Sequence, residues 1–195
     1  MRPTVHLTAP VPTEIEAALA VEFELSGQIA GANGVVTMLN VPVDDAFLES
    51  AGPALRIVAN YAVGVNNVDF GAVARAGVVV SNTPGVLTGA TAELALSLML
   101  SLLRRVTEGD RFVRRREDWR FSLEFMLGER LEGKCLLIVG SGRIGRETAR
   151  LAEAFGAVPV FAGRHDDLDA LLPEADIVSL HVPLADDTHH LIDAR

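Results

Sequence analysis

Residues 135–145 of the chain read CLLIVGSGRIG, an apolar run that leads directly into a glycine-rich sequence. The run Cys135–Val139 has the length and the apolar, partly branched side chains of a buried strand. The G-x-G-x-x-G spacing puts Gly140 at a tight turn, Gly142 where the backbone can approach a phosphate, and Gly145 where a helix packs closely on the strand. The segment therefore predicts the strand, turn and helix that begin a dinucleotide-binding βαβ unit.

The sequence after the glycines predicts the rest of this unit. A helix follows the turn and ends near Gly156, and residues 158–161 and 177–180 are typical of two further strands. The predicted buried face of the helix is formed by Ile144, Leu151 and Phe155. A pyrophosphate bound at the turn would lie at a helix N-terminus, where free amides and the helix dipole favour an anion.

The end of the second strand bears on the choice of coenzyme. NAD-specific folds place an acidic residue there to bind the ribose 2′-hydroxyl, whereas this chain has FAGRH at residues 161–165. Arg164 offers positive charge suited to a 2′-phosphate, so the sequence favours NADP over NAD. Two alternatives remain: Asp166 or Asp167 bends back to the ribose, or Arg164 is a surface cation.

The first part of the chain alternates short apolar runs with helix-period segments, which is typical of an α/β fold with a parallel sheet. Five strands are predicted, at residues 5–7, 21–25, 35–39, 55–59 and 78–81. Helices are expected at residues 13–20, 44–49 and 69–76. Thr13 and Glu16 have the spacing of a capping box, and Gly77 is expected to end the third helix.

Turn-forming residues at 81–88 predict a connection between two domains, which we place at residues 1–98 and 99–195. The segment 91–103 predicts a helix that is apolar almost all round and is therefore buried at a domain or subunit junction. Only the first half of a doubly wound coenzyme fold is recognisable up to Arg195. We therefore expect the strand at 136–139 to lie at an open sheet edge and the isolated chain to be poorly soluble or partly folded.

Composition and charge exclude several classes of protein. With 17 Lys and Arg against 26 Asp and Glu, the net charge is −9, which gives no general attraction to nucleic acid or anionic lipid. Cys135 is the single cysteine, so no internal disulfide forms. No apolar stretch approaches the roughly 20 residues that a membrane span requires, and the N-terminus lacks a signal-peptide pattern. The sequence therefore predicts a cytoplasmic protein that binds neither nucleic acid nor a membrane.

Other reactive side chains give weak signals. His181 directly follows the strand predicted at residues 177–180. His189 and His190 are adjacent, so their side chains are expected to diverge, and no nearby carboxylate has metal-ligand spacing. Cys135 opens a buried strand without a visible activating partner, so we expect it to have a packing role.

Five sequence blocks, taken in order, resemble those of the D-isomer-specific 2-hydroxyacid dehydrogenases, with the glyoxylate and hydroxypyruvate reductase branch the most similar. The blocks are NYAVGVNNVD at 60–69, SNTPGVLT at 81–88 with ATAELA at 90–95, LEGK at 131–134, the glycine-rich sequence at 140–145, and HVPL at 181–184 followed by Thr188. The resemblance implies a flavodoxin-like N-terminal domain, a Rossmann coenzyme domain, and hydride transfer between NADP or NAD and a small 2-keto or 2-hydroxy acid. It also implies a homodimer if the chain is complete.

The resemblance assigns roles to particular residues. The backbone amides of Val63 and Gly64 would bind the substrate carboxylate, since consecutive amides form an anion site. The implied coenzyme contacts, besides the three glycines, are Thr91, Arg143, Ile144, Arg164, Val182, Pro183 and Thr188. The family's catalytic arginine, glutamate and histidine would lie beyond Arg195, so no catalytic residue is assigned. Two alternatives therefore stay open, a catalytically inactive fragment and a nucleotide-binding regulatory protein of the same fold.

Overall fold

The structure, a computed structural model, describes residues 2–116, 118–120 and 122–193. It contains two compact units, Met1–Val86 and Leu87–Arg195. The long helix that follows the division lies wholly in the second unit, whereas the boundary inferred from the sequence, between residues 98 and 99, runs through this helix. Among the described residues, no helix has both the length and the apolarity needed to cross a bilayer.

The first unit is a five-stranded parallel sheet with three helices. Its strands are β1 (Thr4–Leu7), β2 (Glu24–Ser26), β3 (Gly34–Thr37), β4 (Ile57–Asn60) and β5 (Val79–Ser81), and its helices are α1 (Thr13–Glu22), α2 (Asp45–Ala51) and α3 (Phe70–Ala76). The strand order is β2-β1-β3-β4-β5 with every pair parallel. This is the flavodoxin-like order, so the predicted architecture of this unit is confirmed.

Two of the three helices are capped as their sequences suggest. The side chains of Asp44 and Asp69 accept hydrogen bonds from the amides of Phe47 and Ala72, and thereby fix the starts of α2 and α3. Gly77 ends α3 in the left-handed conformation, with φ of 64°. These two helices pack on the sheet and share a core with it, formed by Ala32, Val35, Val43, Leu48, Ala51, Leu55, Val58, Val68, Ala72 and Val73.

Helix α1 differs from its prediction. Pro12 occupies the N-cap position and its carbonyl oxygen accepts from the amides of Ile15 and Glu16, while no side chain caps the helix. The predicted capping box at Thr13 is therefore wrong, because Thr13 is already the first helical residue. The helix also continues to Glu22, so the exposed Val21 lies in it and not in β2.

The second unit contains a three-stranded parallel sheet. Its elements are α4 (Thr88–Leu103), α5 (Val106–Arg115), β6 (Cys135–Val139), α6 (Arg143–Glu153), β7 (Val158–Ala162), α7 (Leu168–Leu171), a 3-10 turn (Leu172–Glu174) and β8 (Ile177–Leu180). The strand order is β7-β6-β8. The prediction that the first of these strands lies at an open edge is wrong, because the chain crosses back from β7 and places β8 on the other side of β6.

Alternate residues of β6 face two separate cores. Leu136 and Ile138 pack with side chains of α4 and α6, whereas Leu137 and Val139 pack with Leu168 and its neighbours in α7 and the 3-10 turn. The two connecting segments therefore lie on opposite faces of the sheet. Such a reversal at a central strand is a topological switch point, and ligands of open α/β sheets bind outside the carboxyl ends of the strands at this point.

Two helices of this unit bury less surface than predicted. In α6 the buried residues are Gly145, Thr148, Ala149 and Ala152. Phe155, which was predicted to face the core, is 51% exposed because it follows the end of the helix.

The outer face of α4 is also exposed, with Leu94, Leu98 and Leu102 at 59%, 62% and 80%. Within one chain only the inner face of α4, Ala92, Leu96 and Met99, is buried, so the predicted burial of its outer face would require a subunit contact.

Candidate functional site

The turn after β6 has a distinct geometric reason for each of its three glycines. Gly140 has φ of 101°, and a Cβ atom there would lie 2.9 Å from the carbonyl oxygen of His181. A Cβ atom on Gly145 would overlap the carbonyl oxygen of Gly140 and lie 3.0 Å from a methyl group of Ile138. Gly142 instead faces open space, with no atom within 4 Å of its Cβ position. The turn is thus closed on the protein side and open where a ligand would approach.

Helix α6 begins directly at this open glycine. Gly142 is its N-cap, and the carbonyl oxygen of Gly142 accepts the first helical hydrogen bond from the Arg146 amide at 3.0 Å. The amides of Arg143, Ile144 and Gly145 belong to the first turn and have no intrahelical acceptor. The guanidinium of Arg146 donates to the carbonyl oxygen of Ser141 at 2.7 Å, which fixes the peptide that precedes Gly142. The arrangement offers several free donors to an anion.

A cavity of about 470 Å³ lies at the carboxyl ends of the three strands. It brings together five of the predicted coenzyme residues, Gly140, Arg164, Val182, Pro183 and Thr188. Four others, Gly142, Arg143, Ile144 and Gly145, follow Gly140 along the chain but do not line the cavity. Thr91, exposed near the start of α4, does not line it either.

Thr188 shapes the loop that follows β8. Its hydroxyl donates to the carbonyl oxygen of Pro183 at 2.6 Å and accepts from the amide of Ala185 at 2.8 Å. These two bonds close residues 183–188 into a compact turn, which forms one wall of the cavity. The Thr188 side chain therefore both lines the cavity and fixes the conformation of the loop that forms this wall.

Four carboxylates line the same cavity, those of Asp166, Asp167, Asp169 and Asp187. Asp166 turns back onto the end of β7, where it accepts from the Gly163 amide at 2.7 Å. Asp167 accepts from the amides of residues 169 and 170 and caps α7. Asp187 forms an ion pair with Arg164, with 3.1 Å between the nitrogen and oxygen atoms. Sequence reasoning missed Asp187, because nothing in the sequence shows that its loop folds back to the end of β7.

The histidines near the cavity differ in their surroundings. His181 is half-buried and its Nε2 lies 2.9 Å from the hydroxyl of Ser179, while burial lowers the pKa of its imidazole. The rings of His189 and His190 are 4.0 Å apart in an edge contact, so the prediction that they diverge is wrong. The left-handed backbone of His190, with φ of 54°, accompanies this contact. Within the described part of the chain, no three His, Cys, Asp or Glu side chains are grouped to hold a metal ion.

A second candidate binding element is the loop 61–67 of the first unit. Three consecutive carbonyl oxygens of this loop accept hydrogen bonds: Ala62 from the Thr83 amide at 2.9 Å, Val63 from the side chain of Asn82 at 2.9 Å, and Gly64 from the side chain of Asn60 at 2.8 Å. The N–H and C=O of a trans peptide point in opposite directions, so the amide of Val63 faces away from the Thr83 donor and that of Gly64 faces away from the Asn82 donor. Neither amide donates to an acceptor among the residues that the structure describes.

A pair of amide side chains, buried Asn60 and half-buried Asn67, supports this loop. Asn60 lies at the end of β4, is 1% exposed, and accepts from the Nδ2 of Asn67 at 3.2 Å. The same Nδ2 also donates to the carbonyl oxygens of Met38 and Val41, which ties the loop after β3 to the loop after β4. Sequence reasoning singled out Val63 and Gly64 but neither Asn82, which orients the Gly64 amide, nor the asparagine pair that supports the loop.

A parallel sheet that ends in an open glycine turn at a helix N-terminus defines a nucleotide-binding α/β protein. The family model for the NAD binding domain of D-isomer specific 2-hydroxyacid dehydrogenases matches residues 96–195. A glyoxylate reductase of Thermococcus litoralis is 38% identical over 228 aligned positions, which cover 100% of this chain and 68% of the relative. A glyoxylate reductase of Aeropyrum pernix is 43% identical over 83% of this chain and 53% of the relative.

Solved structures give the same result. A crystal structure of a Thermus thermophilus protein has a TM-score of 0.87 at 35% identity, covering 96% of this chain and 67% of that one. A glyoxylate reductase from Paecilomyes thermophila has a TM-score of 0.85 at 25% identity, covering 98% of this chain and 68% of that one. The chain belongs to the D-isomer specific 2-hydroxyacid dehydrogenase family, and it spans about two thirds of the length of most of these relatives.

Proposed function

We propose that the chain forms part of an NAD(P)-dependent oxidoreductase that acts on a small 2-keto or 2-hydroxy acid of the glyoxylate or hydroxypyruvate type. The observation that carries this proposal is the turn at Gly140–Gly145, open at Gly142 and followed by the free amides of α6. The names of the similar proteins, glyoxylate reductases, support the substrate class. When bound, a nicotinamide coenzyme supplies the hydride.

The residues of the second unit fit a dinucleotide. Gly142, Arg143 and Ile144 would hold the pyrophosphate through backbone amides, because these donors are free and face open space at Gly142. Gly145 keeps the helix against β6, and Val182, Pro183 and Thr188 form a wall of the cavity at the strand ends. Arg164 would meet the adenosine ribose, and its charge supports NADP as the preferred coenzyme, with NAD as the other. Thr91 is the weakest assignment, since it lies outside the cavity lining.

The first unit would bind the carboxylate of the substrate. Val63 and Gly64 offer two consecutive amides. Their peptide planes are fixed by hydrogen bonds from the Thr83 amide to the carbonyl oxygen of Ala62 and from Asn82 to that of Val63. Paired amides of this kind bind an anion without a charged side chain. An acid that carries its carboxylate next to the reacting carbon would therefore be held close to the loop.

No catalytic acid is assigned among residues 1–195. His181 already has a partner in the Ser179 hydroxyl, and burial lowers the pKa of its imidazole, which favours the neutral form. A neutral imidazole held in this way fits a positioning role beside Gly140 better than that of a proton donor. The family's catalytic arginine, glutamate and histidine are therefore not assigned to any residue of this chain.

Self-association is part of the proposal. The exposed leucines of α4 form one stripe at spacing four, Leu94, Leu98 and Leu102. Further exposed apolar side chains lie on α5 and on the segment that follows it, Val106, Val113, Trp119, Leu123 and Leu127. Exposed apolar side chains in this number are typical of an interaction site, and a second copy of the chain is the proposed partner.

The direct test is an assay of the natural gene product with glyoxylate and hydroxypyruvate, each with NADPH and with NADH. We expect reduction of at least one of the two acids, with NADPH preferred. Coenzyme binding without turnover of either acid would favour a regulatory nucleotide-binding protein. Absence of both binding and turnover would favour an inactive fragment and would contradict the proposal.

A further inference from the structure

The lining of the cavity contains one cationic side chain among the described residues, that of Arg164. Its guanidinium is paired with the carboxylate of Asp187, 3.1 Å away. Both side chains are largely exposed, at 73% and 51%. An exposed ion pair contributes little to stability, so this one can open without disturbing the fold.

Two of the other three carboxylates of the lining are held differently. Asp166 and Asp167 accept hydrogen bonds from backbone amides, which fix them at the end of β7 and at the start of α7. Asp187 differs from these two, because its partner is the side chain of Arg164 and it belongs to a different loop. That loop follows β8 and is closed by Thr188.

We propose that Asp187 determines how strongly the chain prefers NADP over NAD, by competing with the coenzyme's 2′-phosphate for Arg164. This inference rests on the proposed coenzyme function. A carboxylate and a phosphate use the same guanidinium donors, so a 2′-phosphate must displace Asp187 before it binds Arg164. The adenosine of NAD carries a 2′-hydroxyl and leaves the ion pair intact. Asp187 therefore lowers the affinity for NADP selectively.

The same acid also opposes the 2′-phosphate directly. A displaced Asp187 carboxylate remains near the phosphate, and like charges a few ångströms apart repel each other. Replacing Asp187 by asparagine keeps the size of the side chain but removes both the competition and the repulsion. We expect Asp187→Asn to raise the affinity for a 2′-phosphate by about three- to tenfold, less at high ionic strength.

The experiment uses adenosine 2′,5′-bisphosphate and 5′-AMP, which carry the two forms of the adenosine half without the nicotinamide. Affinities are measured on the isotope-labelled chain by amide chemical-shift titration at low and high salt. Asp187→Asn is compared with Asp186→Asn, which removes the same charge from the neighbouring exposed position. We expect tighter bisphosphate binding for Asp187→Asn alone and unchanged 5′-AMP binding for both variants.

Arg164→Gln provides the second test. This variant should bind the bisphosphate no more tightly than 5′-AMP, and adding Asp187→Asn to it should recover less affinity than in the wild-type chain. The inference is overturned if both ligands bind but Asp187→Asn changes the affinity ratio no more than Asp186→Asn does. Failure of the wild-type chain to bind either ligand would overturn the proposed coenzyme site itself, which is a different outcome.

Discussion

The side-chain amide of Asn82 donates a hydrogen bond to the carbonyl oxygen of Val63 at 2.9 Å, and this bond joins the segment after β5 to the loop after β4. It fixes the peptide between Val63 and Gly64, whose N–H consequently points away from Asn82. The conformation of the proposed carboxylate site thus depends on a residue that would not itself contact the substrate. Asn82 is a positioning residue in this account.

Asn82→Ala should weaken binding of a small 2-hydroxy acid such as glycolate by about fivefold, because a net hydrogen bond contributes about 1 kcal/mol to the fixed loop. The amide resonances of Val63 and Gly64 report the binding in a chemical-shift titration. Asn66→Ala, an exposed position in the same loop, is the control and should bind normally. Equal affinities for the two variants would show that the loop does not need Asn82.

Within the glycine turn, the same substitution should affect mainly stability at Gly145 and mainly coenzyme binding at Gly142. Gly145→Ala should lower the free energy of unfolding by about 1–3 kcal/mol, since its Cβ would overlap the Gly140 carbonyl. Gly142→Ala should cost less than about 1 kcal/mol, because nothing lies near its Cβ position, but should weaken coenzyme binding. Urea unfolding and a coenzyme titration separate the two effects. Equal stability of the variants would contradict the packing role of Gly145.

His181 should make stability depend on pH in a defined direction. Burial lowers its pKa below the ordinary 6.5, so the unfolded chain takes up a proton first as the pH falls. The contribution of neutral His181 is complete above pH 6.5 and is lost as the pH falls from that value towards the folded-state pKa. Urea unfolding on both sides of pH 6.5 measures the loss.

His181→Gln should have a smaller loss of stability across this interval than the wild-type chain, because the replacement does not titrate. His165→Gln, which changes an exposed histidine, is the matched control and should keep the wild-type dependence. If His181→Gln also retains the full dependence, the buried histidine is not its source.

The leucine stripe of α4 predicts the effect of a charge on self-association. Leu98→Glu places a carboxylate at the centre of this stripe, and the proposed dimer should then dissociate. Ser97→Glu adds the same charge to an adjacent, more polar face and should leave the dimer intact. Sedimentation velocity over a concentration series distinguishes the two. A Leu98→Glu dimer as stable as that of the wild type would exclude this surface as the contact.

Local sequence patterns were sufficient to predict most of the fold. The five strands of the first unit follow from short branched runs bounded by turns, and the helix limits near Asp69 and Gly77 follow from their side-chain chemistry. The glycine turn at residues 140–145 was also predictable, because each glycine answers a separate steric requirement. The wrong prediction at the start of α1 has a different cause. Helix α1 begins at Thr13, and the N-cap is Pro12, whose carbonyl oxygen accepts from the amides of Ile15 and Glu16; no side-chain pattern predicts this backbone contact.

Features that depend on long-range pairing were not predictable. The place of β6 at the centre of its sheet depends on where β8 pairs, and the partner of Arg164 depends on the path of the loop that carries Asp187. Likewise, the orientation of the amides at Val63 and Gly64 is set by the Thr83 amide and the Asn82 side chain, which lie outside the turn itself. Periodicity and spacing describe neighbours along the chain, whereas these contacts arise only after folding.

In the proposed complex, the turn at Gly140–Gly145 and the cavity beside it hold the adenosine and pyrophosphate groups of a nicotinamide coenzyme. The most direct measurement is a titration of the isotope-labelled chain with NADPH, followed by amide chemical shifts. We predict saturable changes at residues 140–145 and at Arg164, Val182 and Thr188. Changes confined to other parts of the chain, or none at all, would contradict the account.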